Sequence, residues 1–594
     1  MTRSVTLCKA NTPEFLTVDD LIGRVKSGSR ISIGGHHFAR LPMAMIRKLA
    51  ARNLSDLNYT SWAGGLPLEF LLEANSIAEI NICFSSLDIF GLAPKFRKAI
   101  EKKQVVMHDW PALALISAFQ ARAQNLPFLP MQIPQGSSMF ELCPGMRLYH
   151  DAEAKCPIAL VNAVEIDFFL MHAPRADTAG NVEIFGAHAL DKVQVGASAN
   201  VFVTVDEIVP VGTLNASGRS VIIPRNKITA IAEKSGGAYP CSCLPYYTTD
   251  WAKVRELAEV TDDSLLARAN EIGSVPPLDL KLAAGLPAAS ITSEKFEPCA
   301  IPSTADASVD EIMAVRISKT LDNNSYASAG AVSPLGNVAY RLAKNTHAPN
   351  LIITTFSGGH VDIAPGPISL SLVEAMDADS ALYLTGGEDT YWSKYQGGFV
   401  TSEIVGTAQI DGQGRTNTLQ ISKPSGGILR LPGQGGMADV ANMHRDFVVY
   451  VPRHSTKSLV NSVEVVSACR GIISDKEREE MGYRPGKVLL FTNLCVFEFD
   501  HHTGKLVVVE IMPDISREQI IENTGFEVSF DKNCTEVASP TADELFILRH
   551  HVDPIGLRRL EFVAANERAA LLDDIIARDR AVVANLVQDL KVVN

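Results

Sequence analysis

The sequence predicts an α/β protein built as two related open-sheet halves in tandem, and three observations predict it. Two long segments each alternate short Val/Ile-rich runs with helical patterns, and the runs end in glycines. A Pro/Ala/Ser-rich stretch, residues 276–308, divides them, which sets the expected first half at 1–275 and the second at 309–594. An Asp-x-x-Gly turn in Ala176-Asp-Thr-Ala-Gly-Asn-Val182 is echoed by Ile410-Asp-Gly-Gln-Gly-Arg-Thr-Asn417, as divergent copies of one unit would show.

Taken in order, Ser29-Arg-Ile-Ser-Ile-Gly-Gly35 is a β-type run closed by glycines. Leu41 to Ala50 then has helical apolar spacing, with Pro42 in its first turn. Asp56 to Gly65 is a second strand with a glycine end, and Pro111 to Gln124, rich in Ala and Leu, is a helix closed by Leu126-Pro127. The second half repeats the plan: a helix from Asp310 to Thr320 with acidic residues at its start, a strand-like run to Gly330, and strands Leu351–Thr355 and Ser380–Thr385 ending at glycines. Beyond about Asp514 the pattern is helical. Glu567 to Leu590 reads as a packed or oligomer-forming helix, because charges interrupt its apolar spacing.

Composition narrows the function classes. The 594 residues are 46% hydrophobic and 20% charged, ordinary for a packed globular protein. With 54 Lys and Arg against 67 Asp and Glu, the net charge is -13, which argues against a nucleic-acid partner. The first ten residues lack a signal-type apolar core, and no run reaches the ~18 apolar residues of a membrane span, so a cytoplasmic protein with no membrane partner is expected. Ten scattered cysteines read as buried free thiols, and with no His-Glu-x-x-His, Walker loop or spaced Cys/His set, no metal is expected.

Chemistry concentrates at glycine-rich strand ends. Gly34-Gly35-His36-His37, Gly406-Thr-Ala408-Gln409 and Gly433-Gln-Gly435-Gly436 each stand where backbone N–H groups would meet a phosphate or an oxyanion. The residues around them resemble the glutaconate-type class I CoA-transferases. The first half is similar to the α subunit over most of Thr17 to Asp250, through Ile33-Gly-Gly-His-His-Phe-Ala-Arg-Leu-Pro42, Leu126-Pro-Phe-Leu-Pro130 and His172-Ala-Pro-Arg-Ala-Asp-Thr-Ala-Gly-Asn181. The second half resembles the β subunit over about Asp310 to Leu560, through Gly406-Thr-Ala-Gln-Ile-Asp411 and Leu431-Pro-Gly-Gln-Gly-Gly436. The resemblance implies two CoA-transferase-like domains fused in one chain, an acyl-CoA thioester bound between them as substrate, and homo-oligomers. Gly406, Ala408, Gln409, Gly433, Gly435 and Gly436 would then serve CoA binding, and Gly34 and Gly35 the oxyanion.

The sequence departs from that family at its catalytic glutamate. The matching stretch is Thr354-Thr-Phe-Ser-Gly358, so Phe356 stands at the nucleophile position and has no lone pair to attack with. A related branch, the hydrolases that open steroid-derived rings as CoA esters, is thought to use a glutamate of the α half; here Trp110 occupies that place, beside Asp109, which is either a base in shifted register or a helix cap. Glu403, interrupting the apolar strand before Gly406, is the first candidate for a general base, against an ion-paired or solvent-facing acid. His36, His37 and His360 are further candidates, against a satisfied non-catalytic role for each. Glu388 is a second candidate base, against an exposed loop acid, and Tyr391, Trp392 and Tyr395 read as pocket wall or core. Ser357 lacks a Gly-x-Ser-x-Gly elbow. The expected activity is hydrolysis of an acyl-CoA thioester, or of a carbon–carbon bond in an acyl-CoA. The alternatives are a CoA-transferase with a relocated carboxylate and a non-catalytic acyl-CoA-binding protein.

Overall fold

The structure is a computed structural model. It describes residues 12–593 apart from 151–152, 154–156, 187, 215–219, 287–289, 297–305, 331–332, 356–358 and 471–473. Phe356 and Ser357 therefore lie outside the described residues.

Among the described residues the strands form two ten-stranded sheets. The main path of the first runs Glu14–Phe15, Ala230–Glu233, Ser198–Val209, Ile166–Asp177, Arg30–Ile33, Leu57–Thr60, Ile77–Ile82 and Val106–Asp109, every neighbour parallel. The second has a parallel centre, Ile352–Thr355, Tyr326–Ala329, Ser402–Gly406, Asp446–Val451 and Val488–Thr492, with antiparallel pairings on both flanks. Strands buried on both faces need continuous apolar runs, and Asp446–Val451 and Val488–Thr492 supply them.

The echoed turns are the same structure. The carboxylate of Asp177 accepts from the amides of Ala179 and Asn181, at 3.0 and 2.9 Å; that of Asp411 accepts from Gln413 and Arg415, at 3.0 and 3.2 Å. An Asp that ties down the backbone just after it favours this shape over any extended alternative, so the repeat is written in local chemistry.

Three elements differ from expectation. The segment 276–308, read as a linker, carries the helix Leu278–Ala283 and buries Leu286, Ile291 and Phe296 in the same core as the C-terminal helix Ala565–Val593. That C-terminal helix also buries Leu572, Ile575, Val583 and Leu586 there, so its apolar stripe is consumed inside the chain. Residues 380–385 form only the short strand Tyr383–Leu384, because Ser380 ends the helix Val373–Ser380, and the strand Phe530–Glu536 interrupts the helical tail. The strand Phe530–Glu536 lies on a sheet edge and is half exposed, which leaves a weak hydrophobic signal. No helix of the described residues is long and apolar enough to cross a membrane. Among the described residues Cys83, Cys143, Cys241, Cys243, Cys469 and Cys495 are buried and Cys534 is half-buried.

Candidate functional site

Both parallel sheets aim the carboxyl ends of their strands at one cleft. From the first half it takes the residues that follow Arg30–Ile33, Leu57–Thr60 and Ile77–Ile82, and from the second those that follow Tyr326–Ala329, Ile352–Thr355 and Ser402–Gly406. Loops at strand ends are free of ladder hydrogen bonds, which is why ligand crevices form there. Two cavities meet at Gly330 and Ser333: one of about 390 Å³ on the glycine-loop side and one of about 230 Å³ beyond it.

The larger cavity brings together Glu403, Gly406, Ala408, Gly433, Gly435 and Gly436. Gln409 is not among its lining. The Gln409 side chain accepts from Asn417 Nδ2 at 3.0 Å and donates to the Lys457 carbonyl at 3.2 Å, so its amide braces the loop. Among the described residues Glu403 has no ion-pair partner, and it does not face solvent. It is buried, its Oε2 accepts from Tyr395 Oη at 2.5 Å, and Ser328 is a second donor. Burial pushes the carboxyl up to about 7, against those two hydrogen bonds, which hold it down. A carboxyl poised near neutrality in a cavity can take a proton from water. Tyr391 walls this cavity, while Tyr395, whose spacing gives no sign of the partnership, ends the helical segment Thr390–Tyr395 that precedes Glu403's strand.

The glycines act differently from expectation. The amide of Gly34 donates to the Leu170 carbonyl at 2.9 Å and that of Gly35 to Asp191 Oδ1 at 3.0 Å, so both are already committed and neither faces an oxyanion. The amides of Gly433 and Gly435 are likewise given to Thr418 and Cys83 carbonyls, at 2.9 and 3.0 Å. What these positions require is close approach. Gly433 has φ +118, and a Cβ there would sit 2.6 Å from the Cys83 carbonyl oxygen; one on Gly436 would sit 2.0 Å from Tyr391 Oη. The loop 432–435 thereby zips onto the first half, with Ser85 N donating to the Pro432 carbonyl at 2.7 Å and Phe84 bridged to Gly433. Gly433→Ala is expected to lower stability by about 1–3 kcal/mol through strain at that φ and backbone overlap, read as a fall in the urea midpoint.

Asp109 caps no helix and lines neither of these two cavities. Its two oxygens accept from Arg430 Nη1 and Nη2 at 2.8 and 2.5 Å, a fork-to-fork pair across the halves in which Arg430 is buried and Asp109 half-buried. The cap of helix Ala112–Ala123 comes instead from the second half: Asp439 accepts from Leu113 N at 3.0 Å. Burial pushes Asp439 up to about 7, with the Leu113 and Ala112 amides opposing. Trp110 is buried and donates to Asn81 Oδ1 at 3.0 Å. Glu388, expected to be exposed, is half-buried, and burial raises its carboxyl.

The histidines line the smaller cavity. His36 is buried, and burial, then His37 and Arg40, push it well below its ordinary value. His37 lies 3.3 Å from Asp88 Oδ2. His360 is buried and pushed down to about 4, so it is neutral at pH 7; its Nδ1 is 3.2 Å from Thr355 Oγ1. Among the described residues, one group has metal-ligand types with donor atoms within 4.8 Å of one another: His172, Asp206 and Cys243. It lies outside both cavities, and His172 is already hydrogen-bonded through both nitrogens, to Thr204 Oγ1 and Asp206 Oδ2, each at 2.9 Å.

A family model described as coenzyme A transferase matches residues 15–234 and 310–523. The chain is 30% identical over 246 residues to one of the two subunits of the 3-oxoadipate CoA-transferase of Pseudomonas knackmussii, covering 41% of this chain and 92% of that protein. It is 28% identical over 254 residues to the IpdA chain of the cholesterol ring-cleaving hydrolase of Rhodococcus jostii, 41% of this chain and 86% of that one. It is 24% identical over 307 residues to one of the two subunits of the glutaconate CoA-transferase of Acidaminococcus fermentans, 46% and 96%. Among solved structures, an acyl-CoA transferase from E. coli O157:H7 in thioester complex with CoA superposes with a TM-score of 0.65 at 14% identity, over 90% of this chain and 96% of that one, a likeness of fold. The separate subunits thus correspond to less than half of this chain each.

Proposed function

We infer that the chain, which belongs to the coenzyme A transferase family, is a cytoplasmic hydrolase of acyl-CoA in which the two halves, 1–275 and 309–594, act as a fused pair and the whole assembles as a homo-oligomer. The observation that carries this reading is Glu403: a buried carboxyl near pH 7, in the same cavity as the loops Gly406 to Ala408 and Gly433 to Gly436. Those loops accommodate the CoA arm, and the reading needs no metal.

In the step proposed, Glu403 takes a proton from water as the water oxygen bonds to the thioester carbonyl carbon. Collapse breaks the C–S bond, and the thiolate of CoA leaves and takes the proton back from Glu403. The same base, acting on water aimed at a ketone carbon β to the thioester, would give an adduct whose collapse breaks the bond between that carbon and the α carbon; the electron pair passes to the thioester enolate, which takes the proton back from Glu403. The likeness to the ring-cleaving hydrolase of Rhodococcus jostii supports hydrolysis as the class. The second reading has Glu403 itself attack the thioester and carry the CoA, and its position in the cavity favours this over a nucleophile elsewhere.

Turnover in heavy-oxygen water separates them. Hydrolysis puts label into the acid product and leaves no adduct, whereas a glutamyl thioester trapped by borohydride or hydroxylamine on Glu403 would mean transfer. Binding of many thioesters without turnover of any would make the protein a binder.

Tyr395→Phe removes a donor that holds the Glu403 carboxyl down. The acidic limb of the kcat profile is therefore expected to move to higher pH than in the parent protein, with the plateau above it lowered less than the rate at neutral pH. An unmoved limb would detach Tyr395 from the base.

A further inference from the structure

The smaller cavity, about 230 Å³, shares Gly330 and Ser333 with the Glu403 cavity as lining and has room for roughly eight non-hydrogen atoms at about 30 Å³ apiece, the share of a water molecule in the liquid. Its electrostatics are informative. Among the described lining residues the one Lys or Arg is Arg341, and it is spent: Nη2 donates to Asp377 at 2.7 Å, and Nη1 donates to the carbonyls of Ala364 and Gly366 at 3.1 and 3.2 Å. Asp88, Glu374 and Asp377 also line it. A carboxylate placed here would meet Asp88 and Glu374, and among the described lining residues no Lys or Arg is left over once Arg341 is paired with Asp377.

Yet the wall is not inert. His37 Nε2, His360 Nε2 and Glu374 Oε1 are buried and have no hydrogen-bond partner among the described residues. Glu374 is oriented through its other oxygen, which accepts from Ser242 Oγ at 2.6 Å, and His360 through Thr355. Leaving several such atoms dry and unmatched is costly, and a ligand group that matches them recovers that cost.

We propose that this cavity receives the acyl end of the thioester and selects an uncharged acyl group bearing a hydroxyl or ketone, against one that ends in a carboxylate. The inference rests on the thioester reading above. It sets this chain apart from relatives whose names specify glutaconate and 3-oxoadipate, both dicarboxylates. Neutral His360 fits it, since an imidazole without charge donates or accepts one hydrogen bond but offers no cation.

Binding separates this inference from the catalytic one. The full chain is titrated by calorimetry with free CoA and with its hexyl, hydroxyhexyl and carboxypentyl thioethers, none of which can be hydrolysed. The hydroxyhexyl thioether is expected to bind about three- to ten-fold more tightly than hexyl, and carboxypentyl at least about ten-fold more weakly than hexyl. His360→Ala should abolish the hydroxyl gain, and Glu374→Gln should narrow the carboxylate penalty. Equal affinities for all four ligands, or carboxypentyl binding as tightly as hexyl, would overturn the acyl assignment while leaving CoA recognition intact. Failure of every ligand to bind would overturn the thioester reading and this inference with it.

Discussion

Glu403→Gln is expected to lower kcat on any hydrolysed acyl-CoA by about 100- to 10,000-fold, the usual contribution of a positioned general base, while thioether affinity changes by a few-fold at most. Glutamine keeps the shape and the Tyr395 hydrogen bond but cannot take up a proton from water. In the parent protein the rate should fall as pH drops below about 7, where Glu403 becomes protonated and loses its basicity. That limb should vanish from the residual rate of the variant. Stability carries an independent signature. Burial raises the Glu403 carboxyl from 4.5 to about 7, so the folded protein holds that proton more tightly than the unfolded chain does. The associated stability is complete below the unfolded value and is lost as pH rises through about 7. The substituted amide does not titrate, so the melting temperature of the variant relative to the parent should climb between about pH 5 and pH 8. A parent-like rate in the variant would remove Glu403 from the mechanism, whatever its stability.

Much of the architecture was legible because it is local. A Val/Ile run that ends in glycine, a Pro in the first turn of a helix and an Asp that bonds its own turn are chemistry within a few residues, and Arg30–Ile33, Met43–Ala50 and the paired turns at Asp177 and Asp411 formed accordingly. The burial of Glu403 was legible for a related reason: a carboxylate inside an apolar strand is expected to lose solvent, and it is buried against the cavity. The uses of the glycines were not. Whether Gly34 presents its amide to a ligand or gives it to Leu170 depends on a strand more than a hundred residues away, as does the reach of Gly433 to Cys83. The cap of Ala112–Ala123 by Asp439 escaped for the same reason, since a sequence search for a cap looks at the preceding residues. Tyr395 had a weaker signal, an aromatic near the candidate acid, but nothing in the spacing separates a phenol that donates to Glu403 from one that fills core.

The contact between Asp109 and Arg430 shows how the halves themselves are held at this cleft, and its loss should be the largest single effect on stability. Arg430 is 3% and Asp109 12% exposed at the side chain, and the guanidinium also stacks over Phe96 at 5.3 Å. Such a pair gains little over two well-packed apolar residues, because desolvation of both ions offsets their attraction; removing one partner leaves a buried charge with nothing opposite it. Asp109→Ala is therefore expected to cost about 3–5 kcal/mol, seen as a fall in the urea midpoint and in melting temperature. Pairing it with Arg430→Met should recover much of the loss, since the uncompensated cation goes with the second substitution. The backbone amide of Arg430 is held by Glu101 Oε1 at 3.0 Å, and Arg430 lies three residues before Gly433, so the loop that walls the Glu403 cavity hangs from this anchor. In the single variant, thioether affinity should fall with stability, whereas kcat of the folded, saturated protein should stay within a few-fold of the parent. The opposite pattern, a parent-like melting curve with turnover abolished, would restore Asp109 as a base acting on substrate, and the two patterns differ because an ion-pair anchor acts through the loop while a base acts on the reacting water.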